Sequence, residues 1–213
     1  MAVSDGLRRR LDAIVPPTSG RVSESGFLLA GAAAGAVGWG GTQLLTWLDP
    51  PNAAIAATAL WTLLMLGFST LTVRFAPEAV RFSDPMLVWG TVNTAAMALT
   101  VGALAGMVPP RVGFWLGWTA ASAVGYLGTG GLLVRAGAAA RGRGYLATGA
   151  VTLAVLGVGV VAFEAIAPVA FLLLGVIHTV PLATDAKTRL SPLARGGVLS
   201  VIVLLLLAAG RVV

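Results

Sequence analysis

The chain has 213 residues, 57% of them hydrophobic and only 10% charged, with a net charge of +6. A soluble globular domain carries about 25% charged residues, so this composition excludes that class and predicts a helical membrane protein. The basic residues punctuate long apolar runs, so the positive charge reads as orientation signals and contact with anionic lipid, not as a nucleic-acid surface.

Residues 1–25 form the one extended polar stretch, separate from the membrane domain expected over 26–213. Leu7, Leu11 and Ile14 recur at helical spacing with Val15 beside them, while Arg8, Arg9 and Arg10 point largely elsewhere. Two readings fit: a short amphipathic helix in the interface with these arginines on lipid headgroups, or a basic tail that only signals topology. Pro16-Pro17 ends any such helix. The first apolar run follows Arg21 and is long enough to span, so it reads as a retained helix and not a cleaved signal.

Charge-free runs then follow in series. Residues 26–48 hold 23 residues without a charge. At about 1.5 Å per residue they cover about 34 Å, against a bilayer core of about 30 Å. Asp49-Pro50-Pro51-Asn52 makes a turn into 53–73, and a polar loop from Arg74 to Pro85 leads to 86–108. After Pro109-Pro110-Arg111 come 112–134, a loop with Arg135, Arg141 and Arg143, and then 145–163. A four-residue hairpin containing Glu164 joins this span to 168–184. The loop from Asp185 to Arg195 precedes a last run, 193–212, which spans if Arg195 and Arg211 snorkel outward. The expectation is an all-α polytopic fold with seven, and at least six, transmembrane helices.

With the amino terminus inside and seven spans, twelve of the 14 basic residues fall in inside segments, and only Arg111 and Arg211 lie outside. The positive-inside rule therefore predicts a cytoplasmic amino terminus and an external carboxyl terminus. Richness in Ala, Gly and Val, with a single lysine among the basic residues, suits a prokaryotic plasma membrane. Trp47, Trp115 and Trp118 fall near outer helix ends, and Trp89 and Tyr145 near inner ends, as interfacial belts. Trp39 and Trp61 lie deeper, where an indole N–H needs an acceptor. Gly31-x-x-x-Gly35, Gly102-x-x-x-Gly106 and Gly113-x-x-x-Gly117 allow close helix approach, either within the chain or across a homo-oligomer or membrane-partner interface.

The segment Ala36-Val37-Gly38-Trp39-Gly40-Gly41-Thr42-Gln43-Leu44-Leu45 echoes Ala123 to Leu132, with six of ten positions identical. Because the first and fourth spans run oppositely, a true repeat would be a three-plus-three inverted pair with one helix appended. Chance similarity of glycine-rich helices is the alternative.

Polar groups inside spans are costly and mark candidate sites. His178, the single histidine, and Asn93 share an inner depth, with Thr91, Thr94 and Thr179 flanking them. They line a solute or ion path from the cytoplasmic side, or His178 makes an ordinary interhelical hydrogen bond. Near the outer side, Glu164 and Gln43 share a level, and Glu164 is either an interfacial carboxylate exposed to water, which needs no function, or, turned inward, a proton or cation site. The only lysine lies in a loop, so a retinal Schiff base is excluded. One histidine without cysteine cannot build a usual zinc or di-iron site, and a haem ligated by His178 with Met97 or Met65 is unsupported. No nucleophile elbow or phosphate loop occurs, so neither a cofactor nor an enzyme is expected. The leading expectation is a small transporter or channel-like protein. The alternative is a non-catalytic membrane subunit or scaffold, and a continuous polar cavity separates the two.

Overall fold

A computed structural model describes residues 22–187. The segment carrying Arg8, Arg9 and Arg10 and the expected span 193–212 lie outside the described residues. Helix α1, Glu24–Leu48, opens on Ser23, whose Oγ accepts a hydrogen bond from the Gly26 amide at 3.1 Å. It closes on Asp49, and the turn ends on Asn52, at φ 43° and 66° respectively. Asp and Asn tolerate this left-handed conformation better than other side-chain-bearing residues. Helix α2 is Ala53–Phe75, α3 is the single turn Glu78–Arg81, and α4 is Asp84–Leu104. Ser83 caps α4, and Pro85 occupies its first turn, where no backbone donor is lost. Helix α4 stops four residues before the expected 108 because Gly106, at φ 71°, turns the chain before Pro109-Pro110.

A π-helical turn, Val112–Leu116, leads into α5, Gly117–Arg135, and α6 covers Ala139–Val161. The turn α7, Phe163–Ile166, and a 3₁₀ turn, Ala167–Val169, feed α8, Ala170–Lys187. Helix α6 begins six residues earlier than expected, and α8 runs past 184, so Arg141 and Asp185 are helical and not loop residues. No strand occurs among the described residues.

The described residues are all-helical in architecture, and four segments among them are long and apolar enough to cross a membrane: α2, α4, α6 and Phe163–Ala186. The other two expected spans among the described residues, 26–48 and 112–134, are helical too but fall below that length or apolarity. Glycine, threonine, glutamine and aromatic residues with polar tips dilute α1 and α5, and the reason lies in their position. Helix α1 packs between α2 and α8, and α5 between α4 and α6. These two helices form the interior together with α6 and α8. Trp39, Trp61, Trp115, Trp118, Tyr126, Tyr145, Leu173, Leu174 and Ile177 belong to the core they help to build.

Two of the three glycine pairs serve this internal packing. Gly31 and Gly35 face Leu182 and the His178 ring on α8, and a Cβ at Gly35 would collide with that ring. Gly113 and Gly117 face Ala103 and Leu99 on α4. Gly102 and Gly106 straddle the end of α4 instead.

The sequence echo has a structural counterpart, but not the expected one. Gly38 and Gly41 of α1 receive Trp61 and Leu60 of α2, while Gly125 and Gly128 of α5 receive Trp89 and Val88 of α4. In each case a tryptophan and its aliphatic neighbour settle on a glycine pair three residues apart. Under a three-plus-three pair, a face of α1 turned to the following helix must match a face of α5 turned to its following helix, α6. The matching face turns to the preceding helix. Equivalent threonines also diverge: Thr42 accepts the Trp61 indole N–H, whereas the buried Thr129 hydroxyl has no partner. The echo is therefore a packing device used twice, on opposite neighbours.

Candidate functional site

The polar side chains gather at two levels. At the Glu24 end of the bundle, Arg141 sits in the first turn of α6. Its Nη1 lies 2.6 Å from Glu24 Oε1 and its Nε 2.7 Å from Asp185 Oδ2, joining α1, α6 and α8. The Tyr145 hydroxyl, one turn along α6, donates to the same Asp185 oxygen at 2.7 Å. The two acids differ in setting: the Asp185 side chain is 3% exposed and that of Glu24 53%. Water screens the outer pair, while the inner pair is desolvated, so losing a partner of Asp185 is the costlier change.

From this cluster a column of rings leads into the bundle. Tyr145 stacks on Tyr126 with centroids 5.9 Å apart, and the Tyr126 hydroxyl donates to the His178 carbonyl at 3.2 Å. Trp89 stands edge-on to both Tyr126 and the His178 ring. Asn93 lies one turn further along α4, half-buried, and no hydrogen bond joins it to His178. Thr179 donates to the Ala32 carbonyl of α1 at 3.3 Å. Thr91 and Thr94 are exposed and bond back to Leu87 and Gly90 of their own helix. The expected inner patch is thus divided: His178 meets Trp89, and its threonine neighbours satisfy backbone carbonyls.

At the other level, Gln43 is fully buried and both ends of its amide are engaged. Its Nε2 donates to the Pro168 carbonyl at 3.1 Å, and its Oε1 accepts from the amides of Phe171 and Leu172 at 3.1 and 3.3 Å. The first turn of a helix has amides without intrahelical acceptors. Gln43 supplies an acceptor to α8 from another helix, and Trp47 adds a second donor to the Pro168 carbonyl. Gln43 is a tertiary cap. Glu164 does not meet it: that carboxylate is exposed on α7, beside Phe163, over whose ring the Arg111 guanidinium lies at 5.6 Å. Of the two readings of Glu164, the structure has the water-exposed interfacial carboxylate and not the inward turn. A four-residue α7 directs the side chain outward while burying Ile166.

Trp39, Trp61, Trp118 and Phe171 fill the space between the two levels, with ring centroids 4.4–6.2 Å apart. Trp61 and Trp118 donate to the hydroxyls of Thr42 and Thr100, so the deep indoles partly find the acceptors that burial demands. Trp115 and Trp118, expected at the interface, are buried, and Trp115 donates to the Ala170 carbonyl. No group of three or more His, Cys, Asp or Glu residues placed to hold a metal occurs among the described residues.

Glu24, Arg141, Tyr145 and Asp185 were not candidates on sequence grounds. The signal available was Arg141-x-x-x-Tyr145, a one-turn spacing visible once α6 starts in the alanine run before Arg141. No protein-family model, curated protein or solved structure matches the chain.

Proposed function

We propose that this chain is a non-transporting membrane bundle, a subunit or scaffold of a prokaryotic plasma membrane. Its Glu24 end is cytoplasmic, where the basic residues meet anionic lipid. The observation that carries this reading is Gln43. The strongly polar side chain buried at the far level, Gln43, is consumed as a helix cap, with the tryptophan cluster between it and His178. A path for a solute needs groups free to exchange partners, and the threonine hydroxyls of α1 and α2 instead bond their own helices. The surface available to a partner is on α4, where Met86, Leu87, Gly90, Thr91, Thr94 and Ala98 line a shallow groove. In proteoliposomes, proton, sodium and potassium fluxes should match those of empty vesicles. Flux well above that background, lost in His178→Ala, would overturn the reading.

A second reading, ion movement from the cytoplasmic side, draws on the column from Asp185 through Tyr145 and Tyr126 to His178. It requires the Gln43 cap to open, so Gln43→Leu, which removes the cap, would raise such a flux if that reading were correct.

A further inference from the structure

Helix α8 carries a proline in its interior, Pro181, and the helix changes character there. Before it, Ala170, Leu173, Leu174 and Ile177 are 0–1% exposed and belong to the core. After it, Leu182, Ala183, Thr184 and Ala186 are only partly buried, and Asp185 is the one buried residue of 182–186. Proline has no N–H, so the Ile177 carbonyl lacks the donor that position 181 would give it, and the ring crowds that carbonyl. A helix in a hydrocarbon solvent tolerates such a break where a neighbouring helix supplies partners to the loosened backbone. Tyr126 of α5 does so, its hydroxyl donating to the next carbonyl, that of His178, at 3.2 Å.

Past the break the helix is held at two places. Leu182, next to the proline, lies over Gly31 of α1. Further out, Asp185 Oδ2 is 2.7 Å from Arg141 Nε and accepts from the Tyr145 hydroxyl at 2.7 Å, both on α6. Thr184 adds no tie to a neighbour through its hydroxyl, which donates back to the Pro181 carbonyl at 3.0 Å. Between the break and Asp185, a crevice lined by Gly144 and Thr148 of α6 and by Val180, Pro181 and Thr184 of α8 separates the two helices. The end of α8 is thus fastened to α6 by one buried carboxylate, one turn beyond a weakened joint.

We propose that α8 pivots at Pro181 and that residues 182–187 are an arm latched onto α6 by Asp185. With the latch closed, Arg141 ties the arm to α6 and to Glu24 of α1. With the latch released, the arm swings as a local unit while the buried half of α8 stays in the core. The device is independent of whether the bundle moves ions, and its test reads backbone opening and not flux.

The test is amide hydrogen exchange of the full chain in nanodiscs, read by mass spectrometry on peptides from either side of Pro181. Asp185→Asn should speed exchange over 182–187 by about tenfold or more, the loss of one hydrogen bond to a charged group, and leave 171–178 as in the wild type. Tyr145→Phe keeps the ring and removes one of the two donors to Asp185, so it should give a smaller rise in the same peptide. It carries the test if Asp185→Asn does not fold. Pro181→Ala restores the missing amide donor. Combined with either variant it should cancel most of the rise, because a continuous helix holds its own end. A rise that extends equally through 171–178 would overturn the proposal, since the whole helix would then have loosened. So would the absence of any rise, or a rise that Pro181→Ala leaves unchanged, which is the fraying of a helix end and needs no hinge.

Discussion

Helices α1 and α5 fall short of the length and apolarity that mark α2 and α4 as candidate spans, yet α1 and α5 bury more of their residues than α2 and α4 do. Phe27, Gly31, Gly35, Gly38, Trp39, Thr42 and Gln43 of α1 are buried, as are Trp118, Thr119, Ser122, Gly125, Tyr126 and Gly130 of α5. In α2 only Ala57, Trp61 and Thr72 are buried, and in α4 only Ala96, Thr100 and Ala103. In a hydrocarbon solvent, apolar surface gains nothing by moving inward, so packing and hydrogen bonding decide which helix is central. Glycine lets backbones and indoles approach, and threonine and glutamine close the hydrogen bonds that such approach requires.

Substitutions sharpen this contrast. The largest effect is expected where a side chain meets backbone. A Cβ at Gly130 would lie 2.8 Å from the Gly142 carbonyl oxygen and the Leu146 amide nitrogen, neither of which can turn aside. Gly130→Leu should destabilise by at least about 3 kcal/mol, at or beyond the upper end of ordinary overpacking, as read by unfolding in detergent. Asp185→Ala leaves Arg141 with Glu24 alone and takes the acceptor from the Tyr145 hydroxyl and should cost about 2–3 kcal/mol, whereas Glu24→Gln, at the wet end of the same cluster, should cost under about 1 kcal/mol. Equal effects of these two would remove the distinction between the two ion pairs. Gln43→Leu leaves the amides of Phe171 and Leu172 and the Pro168 carbonyl short of partners and should cost about 2 kcal/mol, with faster amide exchange at the start of α8. Gly67→Ala on α2, where a Cβ meets nothing, should be neutral or stabilising by up to about 1 kcal/mol through helix propensity. A destabilised Gly67→Ala would break the contrast from the other side.

Much of the scaffold was legible in the sequence because its signals are local. The turn Asp49 to Asn52, the end of α1 at Leu48 and the close helix approach at two glycine pairs follow from residue type and spacing. The site was less legible because its contacts are distant along the chain. Arg141 and Asp185 are 44 residues apart and both counted as loop charges until α6 and α8 extended to include them. Gln43 and the amide of Leu172 are 129 apart, and nothing near Gln43 announces that α8 starts without a cap of its own. The echo was visible as identity, but its meaning depended on which neighbour each glycine face meets. That is set by packing and not by the matching residues.

The central claim is that the polar interior of α1, α5 and α6 is packed and dry. The chain has no cysteine, so single cysteines can be placed without background. In native-like membranes, Ser122→Cys on α5 and Thr152→Cys on α6, both at buried positions, should resist a water-soluble methanethiosulfonate reagent, while Glu164→Cys, at an exposed one, labels to completion. Labelling of the first two at a rate approaching that of Glu164→Cys would contradict the account, because water would then reach the core through a path that a solid bundle does not have.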